Sequence, residues 1–402
     1  MIKSRQLSFM AACDLGNRLI AIDEWGSGIF QIDKKDMSSH FLAMLEKQKY
    51  YRKLYQGAEL FNNTVFFFPY PFAGREITVY HLLSQRVEYI DLQKMNSLIQ
   101  GDYRPVQRVD NIVWLFPTDF SREVILFHLE TRKVEMLTSW KTFMQEIELG
   151  YTDDWAKVGK MIEVENTLYY PVKGTNYIIE MDKSSYRMER HILPMDVKLH
   201  VSMDYDGQKL WIPELNCERM IAWNPKTDNI NYYPLTSTSD ELQKNGINRV
   251  LCGTRYLWII PNNANRLMRM DYETGNYVFI DIFPQEFNYS KEHAGNMFHT
   301  IIKNGNVADI YPFTANMVIH LDLENDILLE QHEQILLPKE WSDQDILDYQ
   351  LQEDNECELE RVSVRVSTEG CMNFFFQSIQ DSKKKNQSCN NGKNIWHQVS
   401  GE

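Results

Sequence analysis

The sequence predicts an all-β fold, a seven-bladed β-propeller with short helical inserts between blades and a partly disordered C-terminal tail. Two observations carry this prediction. A strand-like run that ends in proline recurs six times, at spacings of 42 to 54 residues, and one strand-like run precedes and two follow each copy. Four-stranded units repeated every ~40–50 residues are typical of propeller blades, because a single such sheet cannot bury both of its faces alone.

The repeated unit is clearest in the second half of the chain. The runs "LWIP" and "LWIIP" end at Pro213 and Pro261, and matching runs end at Pro69, Pro117, Pro171 and Pro312. A seventh copy, "LIAIDEWGSGIFQID", starts at Leu19 and lacks the proline. Aromatic residues at the strand positions supply apolar surface for neighbouring sheets to cover. Seven copies therefore predict a propeller over residues 5–335.

Segments rich in helix formers lie between the repeated units, at 38–54, 91–102, 138–150 and 238–246. Three of them close on a glycine, at Gly101, Gly150 and Gly246, as helices often do. Each would connect the outer strand of one blade to the inner strand of the next. In a propeller these connections share a rim with the loops that follow the proline runs, and such loops usually carry function.

Residues 336–402 form a separate predicted region, an acidic helix and linker followed by a tail. Ser342 and Asp345 have the spacing of a capping box, which predicts a helix start. The later run "QDSKKKNQSCNNGK" is polar and has the composition of a disordered segment.

Composition limits the partners and the compartment. The chain has 42 basic and 56 acidic residues and a net charge of −14, which disfavours nucleic acid and anionic membranes as partners. Six cysteines lack metal-ligand spacing and are expected to be free thiols in a reducing compartment. The start "MIKSRQLSFMAAC" imitates a lipoprotein signal, but Gln6 and Ser8 interrupt its apolar run. We therefore expect a bacterial-type, cytoplasmic protein.

The copy that starts at Leu257 resembles the repeats of virginiamycin B (streptogramin) lyase-like propellers. The matching residues are Leu257-Trp258, Asn265-Arg266-Leu267, and Asp271 with Thr274-Gly275. The resemblance implies the fold, since blades of this kind serve lyases, lactonases, receptors and scaffolds alike. The lyase is known for a metal-assisted elimination that uses histidines and a glutamate, and no motif carries those residues over to this chain.

The loops after the proline runs are the predicted binding surface, at the mouth of an axial funnel. Aromatic rings, amides and arginines are the residue types expected to bind there: Trp25, Phe72, Arg75, Arg122, Tyr177, Glu214, Arg219, Asn263, Arg266 and Asn316. Sugars stack on aromatic rings and bond to amides, whereas a peptide carboxylate suits the arginines. Ordinary polar loop residues would have the same composition.

Two hypotheses for function follow. The leading one is a non-catalytic propeller, without a cofactor, that binds a glycan, a peptide or a protein in the funnel. The alternative is a metal-assisted lyase or hydrolase in the same funnel, with a divalent cation held by histidines that flank the links into blades 5 and 7: His191, His200, His293 and His299. The chain contains no G-x-S-x-G motif, phosphate-binding glycine loop or dinucleotide fingerprint. The sequence indicates no oligomeric state.

Overall fold

The computed structural model describes residues 7–23, 28–45, 55–69, 76–99, 103–118, 120–147, 157–235, 246–261, 266–281, 298–312, 318–329 and 335–349. Within these ranges, 28 strands form seven antiparallel four-stranded sheets, each made of four consecutive strands. The predicted seven-bladed β-propeller is confirmed. The first strand of each blade is called the inner strand below.

The first four blades are built from strands β1 to β16. Blade 1 contains β1 (Ala12–Asp14), β2 (Arg18–Ile22), β3 (Gly28–Asp33) and β4 (Ser39–Met44). Blade 2 contains β5 (Tyr55–Phe61), β6 (Thr64–Pro69), β7 (Glu76–His81) and β8 (Arg86–Asp91). Blade 3 contains β9 (Tyr103–Val109), β10 (Ile112–Pro117), β11 (Val124–His128) and β12 (Val134–Leu137). Blade 4 contains β13 (Ile162–Val164), β14 (Thr167–Pro171), β15 (Tyr177–Asp182) and β16 (Met188–Ile192).

The last three blades are built from β17 to β28. Blade 5 contains β17 (Asp204–Tyr205), β18 (Leu210–Pro213), β19 (Arg219–Asn224) and β20 (Asn229–Pro234). Blade 6 contains β21 (Ile247–Cys252), β22 (Tyr256–Pro261), β23 (Arg266–Asp271) and β24 (Tyr277–Asp281). Blade 7 contains β25 (Phe298–Asn304), β26 (Val307–Pro312), β27 (Ile319–Asp322) and β28 (Ile327–Leu329). All six prolines of the repeat end the second strand of their blade, as predicted.

The core is divided among the interfaces between blades. Buried side chains of the described residues form seven clusters, and each cluster joins one pair of neighbouring blades. Along β2, Leu19 and Ala21 pack toward blade 7, whereas Ile20 and Ile22 pack toward blade 2. Successive side chains of a strand point to opposite faces, so a strand between two neighbouring blades is apolar at every position. This explains the unbroken apolar runs of the repeat.

Blades 7 and 1 are joined by hydrogen bonds that close the ring. The Thr300 hydroxyl is within hydrogen-bond distance of the carbonyl oxygens of Phe9 (3.2 Å) and Met10 (3.0 Å). The Leu7 amide donates to the Ile335 carbonyl at 3.0 Å. The segment before β1 therefore contacts both blade 7 and the chain that follows it.

The predicted helices have mixed outcomes. Helix α1 (Leu92–Met95) and helix α2 (Thr138–Gln145) lie in two of the predicted segments. The helix predicted over 38–54 is wrong at Ser39–Met44, which is strand β4 paired with β3. Pairing with a completed blade outweighs a modest helix propensity. Positions 46–54, 236–245 and both Gly101 and Gly150 lie outside the described residues.

The chain after blade 7 contains a third helix, α3, at 343–349. The capping box at its start is confirmed, because the Asp345 carboxylate accepts from the Ser342 amide at 2.8 Å and the Ser342 hydroxyl accepts from the Asp345 amide at 3.2 Å. Ile346 and Tyr349 are buried against blade 1. The predicted division of the chain at 335/336 stays a prediction, and residues from 350 onward lie outside the described part. Among the described residues, no helix is long and apolar enough to cross a membrane.

Candidate ligand-binding site

The inner strands of blades 2, 6 and 7 each contain one extra residue at the same place. The extra residues, each next to the residue that pairs with the blade's proline, are Gln56, Asn248 and His299. Blade 3 has the same irregularity around Arg104. A proline cannot donate to the ladder and is tolerated at strand ends and bulges, and a bulge re-aims the side chains around it. The repeated proline therefore marks the place where an inner strand leaves regular pairing.

Blades 4 and 5 depart further from regular pairing at this place. Their inner strands β13 and β17 have three and two residues, and an irregular segment precedes each one. In these segments the Gly159 amide donates to the Pro171 carbonyl at 2.8 Å, and the His200 amide donates to the Pro213 carbonyl at 3.0 Å. The proline carbonyl thus fixes the chain even where the strand is interrupted.

These irregular segments surround a cavity of about 600 Å³. We call it the axial cavity, because the inner strands of blades 2, 3 and 6 and the segments that precede the inner strands of blades 4 and 5 supply all of its lining except Lys173. The polar lining residues are Gln56, Arg104, Gln107, Arg108, Lys160, Lys173, His200, Ser202, Asn248 and Arg249. The cavity lies toward the rim that carries the loops after the proline strands, since inner strands begin at that rim.

Hydrogen bonds between blades hold the lining in place. The Gln107 side chain donates to the Gly159 carbonyl at 3.0 Å and accepts from the Met161 amide at 2.6 Å. The Ser202 hydroxyl accepts from the Val250 amide at 2.8 Å. Inner strands have an edge without a partner strand, and these side chains satisfy backbone groups on that edge. The cavity wall is therefore fixed by the scaffold.

Blades 4 and 5 approach each other closely at Gly159. A Cβ at this position would overlap the Val201 carbonyl oxygen and the Pro171 ring. The next amide, that of Lys160, donates to the same Val201 carbonyl at 2.9 Å. Glycine is therefore required for close approach of two backbones, and that contact fixes the backbone from which the Lys160 side chain extends.

The lining has a single sign of charge. Five arginines and lysines and one histidine belong to it, and the described lining contains no aspartate or glutamate. Arg108 is partly compensated, because its guanidinium donates to the Leu60 carbonyl at 2.6 Å and lies 3.6 Å from the Glu59 carboxylate. Burial raises the pKa of Glu59 to about 7, and Arg108 opposes that rise. Positive charge thus dominates the cavity of an acidic protein.

Burial lowers the pKa values of two cations in the lining, one from blade 4 and one from blade 6. Burial lowers the pKa of Lys160 to about 8; Asp204 acts against this shift, and repulsion from Arg249 and Lys303 adds to it. Burial also lowers the pKa of Arg249, again with Asp204 acting in the opposite direction. The charges of Lys160 and Arg249, which both line the cavity, therefore act on each other.

His200 is a neutral hydrogen-bonding group at physiological pH. Burial lowers its pKa to about 4, and the positive charge of Lys173 contributes. Its Nδ1 lies 3.1 Å from the Ser202 amide nitrogen and accepts that hydrogen bond. The neutral ring therefore carries its proton on Nε2 and can donate there.

Charges farther along the inner strands are paired. Lys303 lies 2.7 Å from the Asp204 carboxylate, which also accepts from the Cys252 amide at 2.8 Å. Between blades 1 and 7, Lys34, in the turn after β3, bridges Asp14 at 3.0 Å and Asp309 at 2.7 Å. We call Asp14, Lys34, Asp204, Lys303 and Asp309 the paired end, in contrast to the axial cavity.

The described members of the predicted binding set do not line the axial cavity. Glu214 and Arg219 form a two-point ion pair within blade 5, at 2.9 and 2.7 Å, and Arg219 also reaches Asp196. Arg266 lies 3.6 Å from Asp281 and over the Phe279 ring, and the Tyr177 ring lies beneath Arg190. Arg122 is half-buried beside blade 3. Trp25, Phe72, Arg75, Asn263 and Asn316 lie outside the described residues, and the binding role of the whole set stays a prediction.

The predicted metal ligands are placed apart. His191 lies on the outermost strand of blade 4, 2.6 Å from Glu180 and against the Trp223 ring, whereas His200 lines the axial cavity. His293 and the His299 side chain are outside the described residues. No group of three or more histidine, cysteine, aspartate or glutamate side chains suited to a metal ion occurs in the part of the chain that the structure describes. The metal site stays a prediction.

The sequence contains a signal for the cavity residues that the predicted set did not use. A polar residue stands thirteen positions before the proline in five of the six proline copies, namely Gln56, Arg104, His200, Asn248 and His299. The bulge lies at this offset in blades 2, 6 and 7. Four of these residues, Gln56, Arg104, His200 and Asn248, line the axial cavity.

Comparison with known proteins supports the fold and leaves the activity open. A virginiamycin B lyase from Staphylococcus aureus is 11% identical over 78% of this chain and 94% of its own, with a TM-score of 0.53. A streptogramin B lyase is 10% identical, covering 78% and 93%, with the same TM-score. A chain of the mitotic checkpoint complex is 9% identical, covering 78% and 89%, with a TM-score of 0.50. The predicted fold-level resemblance to these lyases is confirmed.

Two comparisons by sequence found no match. No protein-family model matches the chain, and no curated protein matches it. The likeness to solved structures is therefore a likeness of architecture, and any function must be argued from the site.

Proposed function

We propose that the protein is a binding module whose ligand occupies the axial cavity. The convergence of polar side chains from five blades on one cavity of about 600 Å³ carries this proposal. Sites for small molecules are usually preformed concavities of ~300–1,000 Å³ with a few polar groups that orient the ligand. A small glycan, or the end of a peptide or protein segment, has dimensions suited to this space.

The contacts that hold the lining residues in place support binding by a rigid site. Gln107 and Ser202 are held by hydrogen bonds between blades, and Gly159 allows the contact that fixes Lys160. A preformed wall lowers the entropy cost of binding. The described lining offers hydrogen-bond donors and cations, which hold a ligand, and it lacks the carboxylate pair that acid–base hydrolysis of a glycan uses.

A reducing compartment forms part of the proposal. Cys13, Cys217 and Cys252 are free and buried, and burial raises the pKa of the Cys217 thiol to about 11. Thiols of this kind are inert core residues, as in proteins of the bacterial cytoplasm.

Filling the cavity tests the proposal. Asn248→Trp places a large ring at the cavity wall, and Asn231→Trp, on the exposed outer strand of blade 5, is the matched control. Thermal shift and calorimetry with a panel of small acids, neutral sugars and short peptides should find ligands of wild type and Asn231→Trp that Asn248→Trp does not bind. A ligand that binds Asn248→Trp as tightly as wild type would place the binding site elsewhere and overturn the proposal, as would a panel without a ligand.

A further inference from the structure

We infer that the ligand of the axial cavity is a small polyanion with carboxylate or phosphate groups, an inference that rests on the proposed function and names its ligand class. The charge of the lining is opposite to that of the molecule. The whole chain carries an excess of acidic residues and a net charge of −14, whereas the described lining contains five arginines and lysines and no acid. A cleft lined by one sign of charge concentrates ligands of the opposite sign.

Two of the cations have no direct ion-pair partner among the described residues, although the Asp204 charge acts on the pKa of both. Among the described residues, neither Lys160 nor Arg249 has a side-chain hydrogen bond or ion pair, although both are half-buried in the cavity wall. At the paired end, Lys303 has Asp204 and Lys34 has Asp14 and Asp309. Burying a charge without a partner is costly, so a fold that pairs the other cations leaves these two for a bound anion.

Neutral donors in the lining add to this pattern. The Asn248 Nδ2 is buried and has no hydrogen-bond partner among the described residues. His200 accepts the Ser202 amide through Nδ1 and so keeps its Nε2–H as a donor. A site with two cations and two neutral N–H donors matches an acceptor-only group such as carboxylate or phosphate.

More than one anionic group fits the arrangement. Lys160 belongs to blade 4 and Arg249 to blade 6, and Arg104 extends the positive wall to blade 3. Repulsion between Lys160 and Arg249 helps to lower the pKa of Lys160, and an anion between them would relieve it. Binding should then raise the pKa of Lys160 from about 8, so the complex takes up a proton when it forms near pH 8.

Calorimetry with citrate, inorganic phosphate and triethyl citrate tests the inference. Citrate and phosphate represent the two anion types, and triethyl citrate is the neutral form of the same skeleton. Lys160→Gln and Arg249→Gln remove one charge each, and Lys94→Gln, at an 83% exposed side chain on α1, is the matched control. Titrations at pH 7 in low and high salt, and at pH 8 in two buffers of different ionisation enthalpy, measure affinity and proton uptake.

We expect citrate or phosphate to bind wild type and Lys94→Gln, more weakly as salt increases, and triethyl citrate not to bind. Each cavity substitution should weaken binding about tenfold or more, the loss typical of one charge-assisted hydrogen bond. Wild type should take up as much as about half a proton at pH 8, and Lys160→Gln none. Preference for citrate or phosphate then decides which anion type the site selects.

The two proposals fail in different ways. Failure of both anions to bind, or equal binding by Lys160→Gln, Arg249→Gln and wild type, overturns the inference of an anionic ligand. If a neutral ligand from the panel is lost in Asn248→Trp but retained in both charge variants, the axial cavity is a binding site for a neutral molecule. If every ligand survives in Asn248→Trp, the proposed function itself is wrong.

Discussion

The axial cavity and the paired end contain the same kinds of cation but differ in what surrounds them. At the paired end, Asp204 accepts from Lys303 and from a backbone amide of the next blade. In the cavity, Lys160 and Arg249 form no described ion pair, although the Asp204 charge acts on the pKa of both. The paired end serves the stability of the ring. The cavity keeps charges that stability alone would not select, and this difference identifies the site.

The largest expected effect on stability comes from a substitution at the close contact between blades 4 and 5. In Gly159→Ala the added methyl group overlaps the Val201 carbonyl, which should lower the free energy of unfolding by about 3 kcal/mol. Gly57→Ala is the control, because its Cβ would meet only the Val106 side chain at 3.7 Å. Urea unfolding followed by tryptophan fluorescence measures both. Equal stability of the two variants would contradict the close approach that defines the cavity wall.

The second largest expected effect is the difference in stability between two variants, one that breaks an ion pair and one that removes a cation without an ion-pair partner. Asp204→Asn leaves the Lys303 ammonium without its carboxylate and should cost about 2–3 kcal/mol of unfolding free energy. Lys160→Gln removes a cation that has no internal partner, so its stability should equal or exceed that of wild type. The same urea experiment compares them at pH 7. A greater loss in Lys160→Gln than in Asp204→Asn would mean that the cavity charge is structural.

The smallest effect is the pH dependence of stability that Lys160 adds. Its pKa falls from 10.5 in the unfolded chain to about 8 in the fold, so the unfolded chain binds more protons between these values. Stability should therefore gain a contribution as pH rises from about 8 to 10.5. Urea midpoints over this range should rise more in wild type than in Lys160→Gln. If the urea midpoints of the two proteins change equally with pH, the Lys160 ammonium is solvated in the folded protein and is not a buried cation.

The blades could be predicted from local patterns. An apolar run with a terminal proline, repeated at a steady spacing, was sufficient for the seven sheets, and the Ser342–Asp345 capping box was sufficient for the start of α3. Both features depend on residues a few positions apart. The helix predicted at Ser39–Met44 was wrong because strand pairing with β3, a tertiary contact, decides that segment.

The cavity could not be predicted in the same way. Glu214 and Arg219 have the residue types of a binding site, yet they neutralise each other within blade 5. Lys160 stands in the irregular segment before the three-residue strand β13, Arg249 follows the bulge in β21, and the two residues come from blades 4 and 6. Pairing of charges is a property of distances in the fold, which residue types alone do not specify.

The sequence by itself determined the number of blades and the order of strands, because these follow from alternation, turns and proline chemistry within a single repeat. Only the tertiary structure decided which side chains share the axial cavity and which cations find a partner. Closing the ring brings together residues that are about fifty or more positions apart, and burial then sets the electrostatic free energy of each charge.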